Sequence, residues 1–210
     1  MTRLRSLGFF CFFRAISIAL KSVLCGEFKN GLKLLIAPVG YWRFWPNAIV
    51  LSLARQLAPQ RILDISSPKL ISLILAANSE ILALDLDDPQ LESRWARTAR
   101  LLGLQSYSHR FEDARDLKIP NATYPFIYSL SVIEHIPGGG DTEAMREIAR
   151  VLTPGGKALI EVPLRYDHQD VYRNYDSKGF PVPEERFYER LYSPESTSRL
   201  MIPELKLDRK

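Results

Sequence analysis

From residue 61 onward the sequence alternates short apolar runs with longer segments whose apolar residues recur at helical spacing. The apolar runs are 61–65, 81–85, 106–111, 125–130 and 157–162, and the helical segments are 68–78, 88–102 and 141–152. Apolar strands separated by helices are typical of βαβ units, in which the strands run parallel. The sequence therefore predicts an α/β fold, a mostly parallel Rossmann-like sheet with helices on both faces.

A basic arm precedes this region. Residues 1–60 carry eight Lys or Arg and one acidic residue, Glu27, whereas residues 61–210 carry 20 basic and 23 acidic residues. We divide the chain into a basic, aromatic-rich helical arm, residues 1–58, and a second domain, residues 59–210. An excess of positive charge in the arm favours an anionic partner such as a membrane surface.

The start of the arm predicts an apolar helix with a narrow basic stripe, because Arg14, Ser17 and Lys21 share one helical face. Two interpretations stay open, a helix packed over the domain or a helix lying at a membrane interface. Arg14 interrupts the apolar run before it reaches the roughly 18 residues that cross a bilayer. Cys11 and Cys25 provide no disulfide framework, so we expect a cytoplasmic protein, peripheral at the membrane in the second interpretation.

Acidic residues stand where the predicted strands end. Asp64 ends the first strand, Asp85 ends the second, and Asp113 follows the third. Ligands of open α/β sheets bind outside the carboxyl ends of the strands. Asp85 is placed to accept hydrogen bonds from both hydroxyl groups of a ribose. The alternative is a set of solvated loop carboxylates, which are common at such positions.

Three segments together resemble the class I S-adenosylmethionine-dependent methyltransferases that act on small molecules. They are 111–120 (FEDARDLKIP), 124–136 (YPFIYSLSVIEHI) and 144–156 (AMREIARVLTPGG). The last segment ends a helix, since Pro154 prevents its continuation and Gly155 supplies a positive φ before the next strand. The resemblance spans about residues 61–163 and implies an enzyme that transfers a methyl group from S-adenosyl-L-methionine to an unidentified small-molecule, glycan or lipid acceptor.

The resemblance also assigns roles to residues that match the family. It implies that Asp85 binds the ribose, that Asp113 and Ala114 lie beside the adenine, and that Ser131 borders the methionine moiety. His135 is the candidate catalytic base, because histidine exchanges protons near neutral pH. The alternative role of His135 is to cap or orient the following helix.

The first strand departs from the family pattern, Asp-x-Gly-x-Gly-x-Gly. Here Asp64 is followed by other residues at the three glycine positions: Ser66, Pro68 and Leu70. Ser67 before Pro68 predicts a helix start, whose N-terminus would receive the cofactor carboxylate with Lys69 adding charge. We therefore keep Asp64, Ser66 and Ser67 as cofactor-binding residues. The alternative is loss of cofactor binding and a non-catalytic scaffold or regulatory protein.

The chain turns polar after the fifth predicted strand. We expect a loop over 167–183, a helix near 184–191, and none of the C-terminal hairpin that the family adds to its sheet. An edge strand left open in this way would invite pairing with a second copy, so a homo-oligomer stays open. Candidates for the acceptor side follow the fifth strand: Tyr166, Tyr172, Arg173 and Tyr175.

Two other partner classes are not expected. Glu134 and His135 are too few ligands for a metal site. The segment after the fourth strand lacks the Asn-Pro-Pro-Tyr pattern that amino-methylating enzymes of nucleic acids resemble, so we expect a small-molecule acceptor and not nucleic acid.

Overall fold

The computed structural model describes residues 2–24, 26, 28–86, 89–175 and 180–200. The helices are α1 (Thr2–Leu24), α2 (Phe28–Ile36), α3 (Phe44–Leu57), α4 (Lys69–Leu75), α5 (Pro89–Leu101), α6 (Gly140–Val151) and α7 (Pro194–Leu200). The strands are β1 (Arg61–Ile65), β2 (Glu80–Asp85), β3 (Tyr107–Phe111), β4 (Tyr124–Leu130), β5 (Leu152–Glu161), β6 (Gln169–Tyr175) and β7 (Pro181–Leu191). Single 3₁₀ turns cover Tyr41–Arg43 and Ile133–His135.

Five strands form one sheet in the order β3-β2-β1-β4-β5, and every neighbouring pair is parallel. The predicted fold class is therefore confirmed. The chain direction across the sheet reverses between β1 and β4, which is where this kind of sheet places its ligands. Asp64 lies in the central strand at this point, opposite Ala83 on one side and Tyr128 on the other.

Side chains along β1, the central strand, point alternately to the two faces of the sheet, so the apolar core is divided between those faces. Ile62 packs in a cluster with α4 and the arm, which contributes Cys11 and Val50. Leu63 packs on the other face, in a cluster that includes Ile148 of α6. The arm thus covers one face of the sheet and shares its apolar core.

The predicted arm helix is present as α1, and one of its faces is buried through Cys11, Ala15 and Ile18. Our expectation that no segment is long and apolar enough to cross a bilayer was wrong, because residues 3–24 of α1 meet that test by length and composition. Arg14 does not end the apolar stretch, because the mean hydropathy over 18 residues stays high enough although two charged residues fall within them. Cys25 lies outside the described residues.

The C-terminal region differs from the prediction. The expected loop and helix over 167–191 are instead β6 and β7, which pair antiparallel as a separate two-stranded sheet. This hairpin is separate from the five-stranded sheet, so it is not the sheet-edge hairpin that the family adds after the fifth strand. Backbone hydrogen bonds anchor its end, because Tyr192 N donates to Pro163 O at 3.0 Å and Arg165 N donates to Tyr192 O at 2.7 Å.

Candidate active site

Two loops leave the carboxyl edge of the sheet at its centre, after β1 and after β4. Each begins with a serine in the left-handed region, Ser66 with φ 53° and Ser131 with φ 53°. Side chains rarely adopt this backbone conformation, which favours glycine. Backbone bonds hold both, from Ser66 N to Leu84 O and from Ser131 N to Glu161 O, each 3.1 Å. Ser66 thus keeps a glycine-like backbone at the first position where the resemblance expects glycine.

Side chains fill the loop after β1. Asp64 is fully buried and accepts a hydrogen bond from Ser67 N at 2.8 Å. Its second oxygen accepts from the Ser72 hydroxyl, which lies 2.8 Å from the Tyr128 hydroxyl. A buried carboxylate needs such partners to offset its desolvation. Asp64 therefore connects the loop after β1, through Ser67, to α4, through Ser72.

Lys69 turns inward instead of facing an incoming ligand. Its Nζ lies 3.6 Å from Asp64 Oδ2 and 3.6 Å from Asp85 Oδ2, and it donates to Leu84 O at 3.0 Å. Only 4% of the Lys69 side chain is exposed. Burial raises the pKa of Asp64, and the Lys69 ammonium opposes that rise. The two predicted cofactor acids therefore share one buried cation, an arrangement that the sequence analysis did not predict.

The predicted helix start is displaced by one residue. α4 begins at Lys69, and Pro68 occupies the N-cap position with no side-chain cap bond. The Ser67 hydroxyl accepts a hydrogen bond from Leu130 N at 2.9 Å, so it joins the loop to β4 and does not cap the helix. The expectation that Ser67 caps this helix was wrong.

The ends of β2 and β3 lie side by side, because Glu112 N donates to Asp85 O at 2.9 Å. Asp113 accepts two hydrogen bonds from Arg115 Nε, both 3.1 Å, and one from Arg115 Nη2 at 2.7 Å. These bonds hold the pKa of Asp113 below its ordinary value. Ala114 is buried beside this pair. Asp113 therefore already has one charged partner within its own loop.

His135 has a fixed tautomer. Its Nδ1 lies 2.6 Å from the carbonyl oxygen of Tyr188 in β7. A carbonyl only accepts, so Nδ1 carries the hydrogen and neutral His135 keeps its lone pair on Nε2. The side chain is 40% exposed. The arrangement leaves Nε2 able to accept a proton at the edge of the sheet.

Glu134 stands beside this histidine, and the sequence analysis considered it only as a metal ligand. Its Oε1 lies 3.9 Å from His135 Nε2, and its buried Oε2 has no hydrogen-bond partner among the described residues. Burial raises the pKa of Glu134 to about 7. The signal was available in the sequence, since an acid next to a histidine directly follows an apolar strand. Among the described residues no group of three or more His, Cys, Asp or Glu side chains is placed to hold a metal ion.

The hairpin of β6 and β7 borders His135. The Arg173 guanidinium stacks on the Tyr188 ring at 3.3 Å from its centroid and lies 5.3 Å from the Tyr175 ring. The Tyr188 ring in turn lies 5.3 Å from the His135 ring. Of the predicted acceptor-side residues, Arg173 and Tyr175 are thus linked to His135 through Tyr188, whereas Tyr166 is fully exposed.

The arm reaches the same edge through Arg43. Its Nη1 donates to Leu130 O at 3.0 Å and lies 3.7 Å from Glu161 Oε2. The Ser131 hydroxyl donates to the same Glu161 oxygen at 3.3 Å. Burial raises the pKa of Glu161, and Arg43 opposes the rise. A residue of the arm therefore orders the loop that carries His135.

A cavity of about 320 Å³ lies where the hairpin meets α6 and α7, away from the loop after β1. Arg190 pairs there with Asp141 at 2.6 Å and with Asp170 at 2.9 Å. The Tyr192 hydroxyl donates to Asp141 at 2.9 Å. Arg190 of β7 and Tyr192 both contact Asp141 of α6, so the cluster fixes the hairpin against α6.

Comparison with known proteins agrees with this geometry. The sequence model of one family, described as a methyltransferase domain, matches residues 63–160. That range runs from β1 to the end of β5, so it contains every loop of the carboxyl edge described above.

Solved structures share the fold. A SAM-dependent methyltransferase from Methanosarcina mazei is 20% identical, with a TM-score of 0.53 over 67% of this chain and 76% of that one. The cyclase SpnF is 18% identical, with a TM-score of 0.56 over 77% of this chain and 57% of that one. A putative sarcosine dimethylglycine methyltransferase from Galdieria sulphuraria is 19% identical, with a TM-score of 0.51 over 65% and 50%. This chain thus spans only about half the length of the last two proteins.

Proposed function

We propose that the protein is a class I S-adenosylmethionine-dependent methyltransferase that methylates a small-molecule or glycan/lipid-type acceptor in the cytoplasm, since residues 63–160 match the sequence model of a methyltransferase domain. The observation that carries the proposal is His135, whose Nδ1 is bonded to Tyr188 O and whose Nε2 is left as a proton acceptor. General bases need this combination of fixed orientation and access.

S-adenosyl-L-methionine is the cofactor that the family implies, and the residues at the sheet edge fit it. Asp85 ends β2 with a carboxylate at the carboxyl edge of the sheet, 3.6 Å from Lys69 Nζ. Ser66 and Ser131 hold left-handed backbone at the two central loops. Ala114 adds a small side chain after β3. These residues would hold the cofactor, which supplies an electrophilic methyl group on a sulfonium.

The chain's own residues would act on the acceptor. His135 Nε2 would take a proton from an acceptor hydroxyl or amine, while the bond from Nδ1 to Tyr188 O keeps the ring in place. Glu134, buried next to it, would stabilise the imidazolium that results. Arg173 stacks on Tyr188 and so supports the ring that His135 contacts. The hairpin therefore bounds the acceptor side in this proposal.

The test is calorimetric titration of the full chain with S-adenosylhomocysteine. We expect wild-type binding and a loss of about tenfold to 100-fold in Asp85→Asn, because hydrogen bonds to a charged group contribute about 1.5–3 kcal/mol. Asp116→Asn is the matched control, since that carboxylate is exposed and pairs with Lys118. Absence of binding by folded wild-type protein would overturn the proposal.

A second candidate is a non-catalytic, methyltransferase-like protein, and Lys69 favours it. Its ammonium lies 3.6 Å from each of the two carboxylates, Asp64 and Asp85, that the resemblance assigns to the cofactor. The fold of the cyclase SpnF is similar, and fold alone does not fix function. The same titration separates the two candidates, because only the enzyme requires binding of S-adenosylhomocysteine.

A further inference from the structure

α1 presents a row of apolar side chains to solvent. The row consists of Phe9, Phe13, Leu20 and Leu24, which recur at spacings that keep them on one helical face. Phe13 is 65% exposed and Leu24 is 85% exposed. The opposite face is already buried in the core through Cys11 and Ile18. The exposed row is therefore additional to what folding of the chain requires.

Neighbouring elements add to this apolar surface. α2 carries a second exposed row, Phe28, Leu32 and Ile36. Near the N-terminal end of α1, Phe9 contacts the Phe44 ring at 5.5 Å, and Phe44 contacts the Trp45 ring at 5.3 Å. Trp45 is itself exposed. Exposed aromatic and aliphatic side chains in such number mark an interaction surface.

Positive charge flanks the row on α1. Arg3, Arg14 and Lys21 are exposed and lie at helical spacing along one edge of the row. The Arg5 guanidinium lies 6.0 Å above the Phe9 ring. The sequence has no acidic residue before Glu27. Helices that bind in the plane of a membrane interface combine these two features, an apolar face and basic residues beside it.

We propose that α1 docks lengthwise on an anionic phospholipid bilayer. The apolar row would enter the boundary between headgroups and acyl chains, and Arg14 and Lys21 would meet the lipid phosphates. A second copy of the chain would bring like charges together, and a nucleic acid would leave the apolar row in water. A spanning helix would have to withdraw Cys11 and Ile18 from the core. The proposal does not depend on cofactor binding, because the row lies outside the carboxyl edge.

The test is sedimentation of the full chain with vesicles of phosphatidylcholine, with or without phosphatidylglycerol. We expect binding to the anionic vesicles alone, weakened by added salt. Arg14→Gln with Lys21→Gln should weaken it about 30-fold, since each basic residue near an anionic surface contributes about 1 kcal/mol. Arg100→Gln with Arg146→Gln removes the same charge from exposed positions outside the arm and should leave binding unchanged.

Phe13→Ser with Leu20→Ser should weaken vesicle binding by at least about tenfold without changing the net charge. Light scattering after size-exclusion chromatography gives the oligomeric state of the same proteins. Equal binding to neutral vesicles, resistance to alkaline carbonate extraction, or a wild-type dimer that these substitutions dissociate would each overturn the proposal. Titration with S-adenosylhomocysteine should be the same for wild type and this variant, so failure here is distinct from failure of the proposed function.

Discussion

The loops after β1 and β4 leave neighbouring strands through serines with the same left-handed φ. The carboxylates beside these loops nevertheless have opposite environments. Asp64, at the end of β1, is buried beside an ammonium and accepts hydrogen bonds from Ser67 N and the Ser72 hydroxyl. Glu134, after β4, is almost as buried and leaves Oε2 without a hydrogen-bond partner among the described residues. The compensated carboxylate stabilises the fold. The uncompensated one costs stability, which is typical of groups kept for chemistry.

Removing the cation from the first loop gives the largest expected effect. Lys69→Met removes the buried ammonium that faces Asp64 and Asp85, and breaking a buried ion pair costs about 3–5 kcal/mol. We therefore expect the free energy of unfolding in urea to fall by about that amount. Lys118→Met is the matched control, because its pair with Asp116 is exposed and contributes about 1 kcal/mol or less.

The double variant Asp64→Asn with Lys69→Met separates charge from packing. Removing both members of the pair leaves no uncompensated charge at Asp64, so it should recover part of the lost stability. A single Lys69→Met variant as stable as the wild type would contradict this account of the loop.

The loop after β4 should make stability depend on pH. Burial raises the pKa of Glu134 from an ordinary 4.5 to about 7, so the folded state holds its proton to higher pH than the unfolded chain does. Stability therefore falls as pH rises from about 4.5 to 7, by on the order of 1–3 kcal/mol, and the loss is complete above that range. Unfolding in urea across this pH range measures the effect.

Glu134→Gln should remove this part of the pH dependence and stabilise the protein above pH 7, because glutamine stays neutral. Two curves of the same shape would show that the pKa of Glu134 is the same in the folded and the unfolded protein.

The smallest expected effect concerns the left-handed backbone conformation that both loops have at their first serine. Ser66→Gly relieves the left-handed φ of 53° and should stabilise the protein by less than about 1 kcal/mol, since glycine also gains freedom in the unfolded chain. Ser67→Gly should do the opposite and cost about 1 kcal/mol, because Leu130 N loses its acceptor. Thermal unfolding compares the two variants, and the same sign for both would contradict the comparison.

The parallel sheet was predictable because its strands are buried on both faces. Ile62, Leu63 and Ile65 are all fully buried in β1, and such strands appear in the sequence as apolar runs. The hairpin was not predictable in this way. Most of β7 is exposed or half-buried, so its residues show no alternation of apolar and polar positions that would predict a strand.

The candidate site was predictable in its placement and not in its contacts. Asp85, Ser131 and His135 follow strands, and the topology alone brings the ends of those strands to one edge. The contact between His135 and Tyr188 uses a backbone carbonyl. Every residue type has this group, so the amino-acid sequence does not predict the contact. The inward turn of Lys69 depends on two carboxylates that converge only in the folded sheet.

Arg43 makes the arm a part of the sheet edge, with consequences for how the protein is handled. Its Nη1 bonds to Leu130 O and lies close to Glu161, while Cys11 and Val50 fill the core beneath. A shortened chain that begins after α3 would lose this cation and expose the apolar face of the sheet. A truncation designed to improve solubility would therefore remove arm residues that form part of the apolar core, together with the exposed surface of α1.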